Sequence, residues 1–83
     1  MLLSSNLKEL GTLFRAERKA TGKTQADVAK ASGLRRETII RIEAGENIDM
    51  ITFLKALSAI GKGIRLADRR VDYDSIKAVF DES

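Results

Sequence analysis

The chain has 83 residues, 43% hydrophobic and 33% charged, with a net charge of +3 and neither cysteine nor histidine. That composition fits one folded domain with a thin core, of the kind dimerisation often reinforces, and not a disordered chain. It excludes a disulfide framework and a thiolate zinc site, and no apolar run approaches the roughly 20 residues that span a bilayer.

The first helix is predicted over about Leu7–Ala20. Asn6 with Glu9 three residues on makes a capping box, Leu7, Leu10 and Phe14 share a face, and Gly22 ends the run. Gly11 inside this helix costs about 1 kcal/mol against Ala, and close packing of another helix would explain its presence. The second helix, about Gln25–Ser32, opens on the Thr24/Asp27 capping box and turns Val28 and Ala29 inward. Gly33 is the turn residue, expected at positive φ, and Leu34 plugs the core beside it.

The third helix is predicted from Arg36 to Ala44, with Gly45 as its stop. Ile39 and Ile42 face inward, and Arg36, Glu37, Ile40 and Arg41 cluster on the opposite side. The fourth runs from about Met50 to Ile60. Its expected apolar stripe is Met50, Leu54 and Leu57, widened by Phe53 and Ile60, and Leu54 and Leu57 are read as core with Phe14. Gly61 and Gly63 break it, and the alternation over Ile64–Ala67 predicts a short strand. The last residues, DYDSIKAVFDES, predict one more short helix with Tyr73, Ile76, Val79 and Phe80 on its apolar face. The organisation is thus a body over residues 1–70, with a strand at about 62–67, and a short acidic extension over 71–83.

Charge follows the same division. Residues 1–47 hold nine Lys/Arg and six Asp/Glu, residues 48–70 hold five and two, and residues 71–83 hold one and four. A basic body suits a polyanion such as DNA, and the acidic extension does not. An ordinary solvated surface would show much the same balance.

Two short helices joined by a tight turn at Gly33-Leu34 form the pattern of a helix-turn-helix, whose second helix enters the major groove. That second helix is loaded with Arg35, Arg36, Glu37, Thr38 and Arg41. Arg36 and Arg41 can each donate two hydrogen bonds to guanine O6 and N7, and Glu37 can accept from cytosine N4. Ile40 can pack on a thymine methyl. Thr24 and Gln25 stand at a helix N-terminus, where free N–H groups favour a phosphate. Arg35 is expected on the backbone phosphate, with Lys23 a weaker candidate. The bland alternative is a charged surface with a Glu37–Arg41 pair worth a few tenths of a kcal/mol.

Leu10-Gly11, Phe14, Arg15, Arg18, Gly22, Thr24-Gln25, Ala29, Gly33-Leu34, Thr38-Ile39, Ile42-Glu43 and Gly45 together carry a resemblance. The segment from Leu10 to Gly45 resembles the XRE, or Cro/phage-repressor, family of DNA-binding domains. The resemblance implies a mainly all-α domain of four to five helices that binds an operator as a homodimer. It also implies an internal ion pair between Arg18 and Glu43. In place of the fifth helix stands GKGIRLADRR, which looks like the ending of HipB-type antitoxins, where a strand pairs across the dimer. Ile64, Arg65, Leu66 and Ala67 would form that dimerisation strand. The sequence departs from the family pattern at Arg35, where a capping Ser or Thr is usual, and at Ile40, where Ser is common.

The leading expectation is a dimeric, sequence-specific transcriptional repressor of its own operon, double-stranded DNA being its partner. A toxin protein is the further partner expected of an antitoxin. The alternatives are a toxin-neutralising inhibitor as the main role, or a phage or restriction-system controller. No cofactor, metal, membrane or catalytic role is expected, since no metal, nucleotide or nucleophile motif is present to assign to a reaction. Leu2-Leu3 is too short for a signal-peptide core, so a cytoplasmic location is the default.

Overall fold

A computed structural model describes residues 6–68. The acidic extension over 71–83 lies outside them. Four helices follow one another: α1 (Leu7–Ala20), α2 (Gln25–Ser32), α3 (Arg36–Glu43) and α4 (Met50–Ala59). The domain is mainly all-α, as the sequence predicts.

Three of the four helices, α1, α2 and α4, start where a side chain takes up a free N–H. Asn6 accepts from the Glu9 N–H at 2.9 Å, and Asp49 accepts from the Thr52 N–H at 2.7 Å. Thr24 and Asp27 complete a reciprocal capping box at 3.0 and 2.9 Å. Such caps each contribute about 1 kcal/mol. Arg35 occupies the N-cap of α3 and makes no side-chain cap bond, as its chemistry requires.

The core gathers Phe14 of α1, Val28 and Ala29 of α2, Ile39 and Ile42 of α3, and Phe53, Ala56, Leu57 and Ile60 at α4 and its end. Phe14 and Phe53 meet at 6.2 Å between ring centroids, a tilted aromatic pair. Leu10 and Leu34 pack partly buried against this cluster.

The expected stripe on α4 needs correction. Met50 is 61% and Leu54 42% exposed, and the inward face runs through Phe53, Ala56, Leu57 and Ile60. Met50, Ile51, Phe53, Leu54, Ala56, Leu57, Ala59 and Ile60 cover nearly the whole circumference of α4, so spacing alone cannot select a face. Docking against α2 and the Phe14 ring selects the Phe53 side. The consequence is an apolar strip of Met50, Ile51 and Leu54 facing outward.

Beyond α4, residues 62–68 form neither helix nor strand within one chain. Ile64 is half exposed and Leu66 is 92% exposed. A strand is a paired structure, and a lone segment has no ladder to join. Among the described residues no helix is long and apolar enough to cross a membrane.

Candidate nucleic-acid interface

The turn between α2 and α3 is set by Gly33 at φ +73°, a conformation that favours glycine. The Leu34 N–H then returns to the Ala29 carbonyl at 2.9 Å. Leu34 packs on the core, and α3 leaves the turn with Ile39 and Ile42 buried. The same 3.6-residue period therefore turns Arg36, Glu37, Ile40 and Arg41 outward, and all four are exposed. Thr38 is half-buried on the flank of this face. Arg35 is exposed just before the helix.

Besides the buried Ile39 and Ile42, Glu43 fixes α3 to its neighbours. Its side chain is only 5% exposed. Arg18 of α1 donates to it from Nε at 2.6 Å and from Nη2 at 3.2 Å, a two-point clamp, and spends Nη1 on the Lys23 carbonyl at 2.9 Å. The hydrogen bond and charge of Glu43 hold Arg18 in its protonated form against the cost of burial. This is the internal ion pair that the resemblance implies. Two further groups join it. Gln25 of α2 donates from Nε2 to Glu43 at 3.1 Å, and the Arg15 guanidinium stands 3.8 Å away. One carboxylate thus ties α3 to both α1 and α2.

The start of α2 is tightly ordered by the Thr24/Asp27 box. Its hydrogen bonds from Thr24 lower the Asp27 carboxyl pKa below the usual range. Of the two residues expected near a phosphate here, Thr24 is exposed and Gln25 half-buried, its amide already engaged by Glu43.

The far end of α3 carries a partner that periodicity missed. Gly45, at φ +80°, sends its N–H to the Ile42 carbonyl at 3.1 Å, and the Glu46 N–H bonds the Arg41 carbonyl at 3.0 Å. These paired bonds make a Schellman motif. It sets Glu46 beside Arg41, whose Nε donates to Glu46 Oε1 at 2.8 Å. Arg41 therefore pairs with Glu46, and not with Glu37 as the simple i, i+4 reading expects. The one available sequence signal was a glycine stop followed directly by an acid.

With this geometry in place, the comparisons with known proteins are specific. A helix-turn-helix family model matches residues 14–66. The chain belongs to the helix-turn-helix family. No curated protein matches the sequence. Among solved structures, the restriction-modification controller protein C.AhdI from Aeromonas hydrophila is similar to this family member at 32% identity. That match covers 68% of this chain and 86% of the other, with a TM-score of 0.64. HipB in a complex designated HipB(S29A)-O2 20mer is similar at 27% identity over 83% of this chain and 97% of the other, with a TM-score of 0.77. HipB in a HipA-HipB-O2-O3 complex matches at 26% identity over 83% and 99%, also at 0.77. The XRE-type resemblance of Leu10–Gly45 and the HipB-like character of the chain are both borne out.

Proposed function

We propose that this chain is a sequence-specific DNA-binding transcriptional regulator that acts as a homodimer and places α3 in the major groove. The observation that carries this reading is the outward face of α3. Arg36, Glu37, Ile40 and Arg41 project from a helix whose opposite face is locked into the core and whose end is clamped by Glu43. Arg36 and Arg41 supply donors for guanine, Glu37 an acceptor for cytosine, and Ile40 an apolar contact for thymine. Arg35, Thr24 and Gln25 flank that face and serve the phosphate backbone, with Thr38 on the margin.

Two copies joined through Ile64, Arg65, Leu66 and Ala67 would set two α3 helices about one helical turn of DNA apart. Repression follows from occupying an operator. Nothing in this arrangement calls for a cofactor or for catalysis, and a cytoplasmic location follows from the role.

A second reading adds a toxin to the partners. It is favoured by the match to HipB over 83% of this chain, including HipB within a HipA-HipB-O2-O3 complex. The inhibitor and repressor roles are compatible in one protein. Copurification of a larger partner encoded beside this chain supports the antitoxin role, and a homodimer that binds DNA alone leaves a controller repressor.

The test of the groove assignment is selection of bound duplexes from a random pool. Arg36→Ala and Glu37→Ala are each expected to cost about 1–3 kcal/mol at one base position and to relax preference there. Unchanged base preference in both variants would remove α3 from the groove.

A further inference from the structure

We infer that Glu46 is a specificity-determining residue, which holds the Arg41 guanidinium for a base edge and weakens its pull on phosphate. The inference rests on the groove reading of α3. It starts from an asymmetry in how Arg41 is used. Only Nε donates to Glu46, at 2.8 Å. The two terminal amino groups have no other partner among the described residues, and they are the pair that forms a fork to guanine O6 and N7.

Most exposed ion pairs are loose, because two long side chains wander. Here the main chain that carries Glu46 is held in place. The main chain of Glu46 is bonded back to the Arg41 carbonyl at 3.0 Å, and Gly45 between them is pressed against α1. A Cβ on Gly45 would stand 2.7 Å from Lys8 Cα. The backbone thus places Glu46 within reach of Arg41, and its carboxylate meets Nε there. Arg41 also lines a shallow recess with Asp49, but the Asp49 carboxylate caps α4 through the Thr52 N–H. Both members of the pair are about half exposed, at 52% and 53%, so the guanidinium is open to DNA while paired.

The two classes of DNA contact respond differently to such a neighbour. A phosphate contact is dominated by net charge, and a carboxylate 2.8 Å away cancels much of it. A base-edge contact is dominated by geometry, and a fixed Nε narrows the fork's freedom. Glu46 thus lowers binding to other sequences more than to the one that offers guanine at the right place.

The experiment compares the full chain with Glu46→Gln, Glu46→Ala, Arg41→Ala and the Arg41→Ala/Glu46→Gln double variant, each first shown to melt cooperatively. Binding is measured to a duplex selected by the parent and to a scrambled duplex, over a salt series. In the Glu46 variants, affinity for the scrambled duplex should rise about two- to fivefold, the worth of a freed exposed pair. The salt slope should steepen by about one as Arg41 takes a phosphate, and preference for the selected duplex should fall. Both changes should vanish when Arg41 is absent. Unchanged scrambled affinity and slope, with Arg41→Ala still losing preference at one base, overturns the role of Glu46 and leaves the groove reading standing. Full base preference in Arg41→Ala overturns both for this residue.

Discussion

Gly11 of α1 lies directly against the Ile42 carbonyl of α3, so closely that a Cβ there would stand 2.5 Å from its oxygen. The Glu43 oxygen and the Gly45 nitrogen would be at 2.8 and 2.9 Å. All three are backbone atoms, which cannot swing aside as a side chain can. Gly11→Ala should therefore destabilise by about 1–3 kcal/mol, the range for overpacking, despite about 1 kcal/mol of improved helix propensity. Urea denaturation measures the net, and a gain in stability would mean that α1 and α3 separate freely.

Arg18→Met removes the two-point clamp and leaves Glu43 charged and nearly buried. Loss of one partner from a buried pair costs about 3–5 kcal/mol, and the Gln25 amide and nearby Arg15 place this case towards the lower end. Replacing both members, as Arg18→Met/Glu43→Met, should recover much of that loss. A double-mutant cycle in denaturant checks it: additive losses would show that the two residues act independently.

Acid sensitivity should come from the two capping aspartates. Hydrogen bonds within the caps lower the folded-state pKa of Asp27 and Asp49 below 3.8, the value expected without them. Their contribution is therefore fully present above that value and is lost as pH falls through the lower folded pKa. Asparagine keeps the capping oxygen but cannot titrate in this range. Melting temperature followed from about pH 5 down to about pH 2 should fall for the parent and fall less steeply for Asp27→Asn and Asp49→Asn. Identical acid limbs in all three proteins would assign the loss to other groups.

Proline at Arg65 or Leu66 removes a ladder donor and fixes φ. If residues 62–67 pair across a two-fold axis, either variant should be monomeric by light scattering and should lose tight operator binding. The helical body, whose core lies within residues 14–60, should keep its melting temperature at high protein concentration only in part, since dimerisation adds stability by mass action. A stable dimer in both variants would shift the interface elsewhere, with the exposed Met50, Ile51 and Leu54 as the next surface to probe.

The helix starts were legible because capping is local chemistry. Asn6 and Thr24 lie next to the groups they cap, and the observed bounds of α1 and α2 agree with those predicted. The outward face of α3 was legible because only Ile39 and Ile42 offer an inward pair. α4 was not, since it is apolar nearly all round and its orientation depends on Phe14 and α2, far away in sequence. Within the candidate site, the Arg18–Glu43 pair followed from resemblance. The addition of Gln25 and the Arg41–Glu46 pair depend on how a loop and two helices converge, which no periodicity encodes.

The shared grip of Glu43 on Arg18 and Gln25 has a kinetic consequence. With α1, α2 and α3 pinned at a single carboxylate, the outward face of α3 proposed to read DNA is already assembled in the free protein. Association is then governed by encounter and orientation, and not by waiting for a rare competent conformer. Lowering ionic strength should speed capture, because steering acts on a preformed basic face. Loosening the pin, as in Glu43→Gln, should introduce a rearrangement step whose rate no longer rises in proportion to DNA concentration.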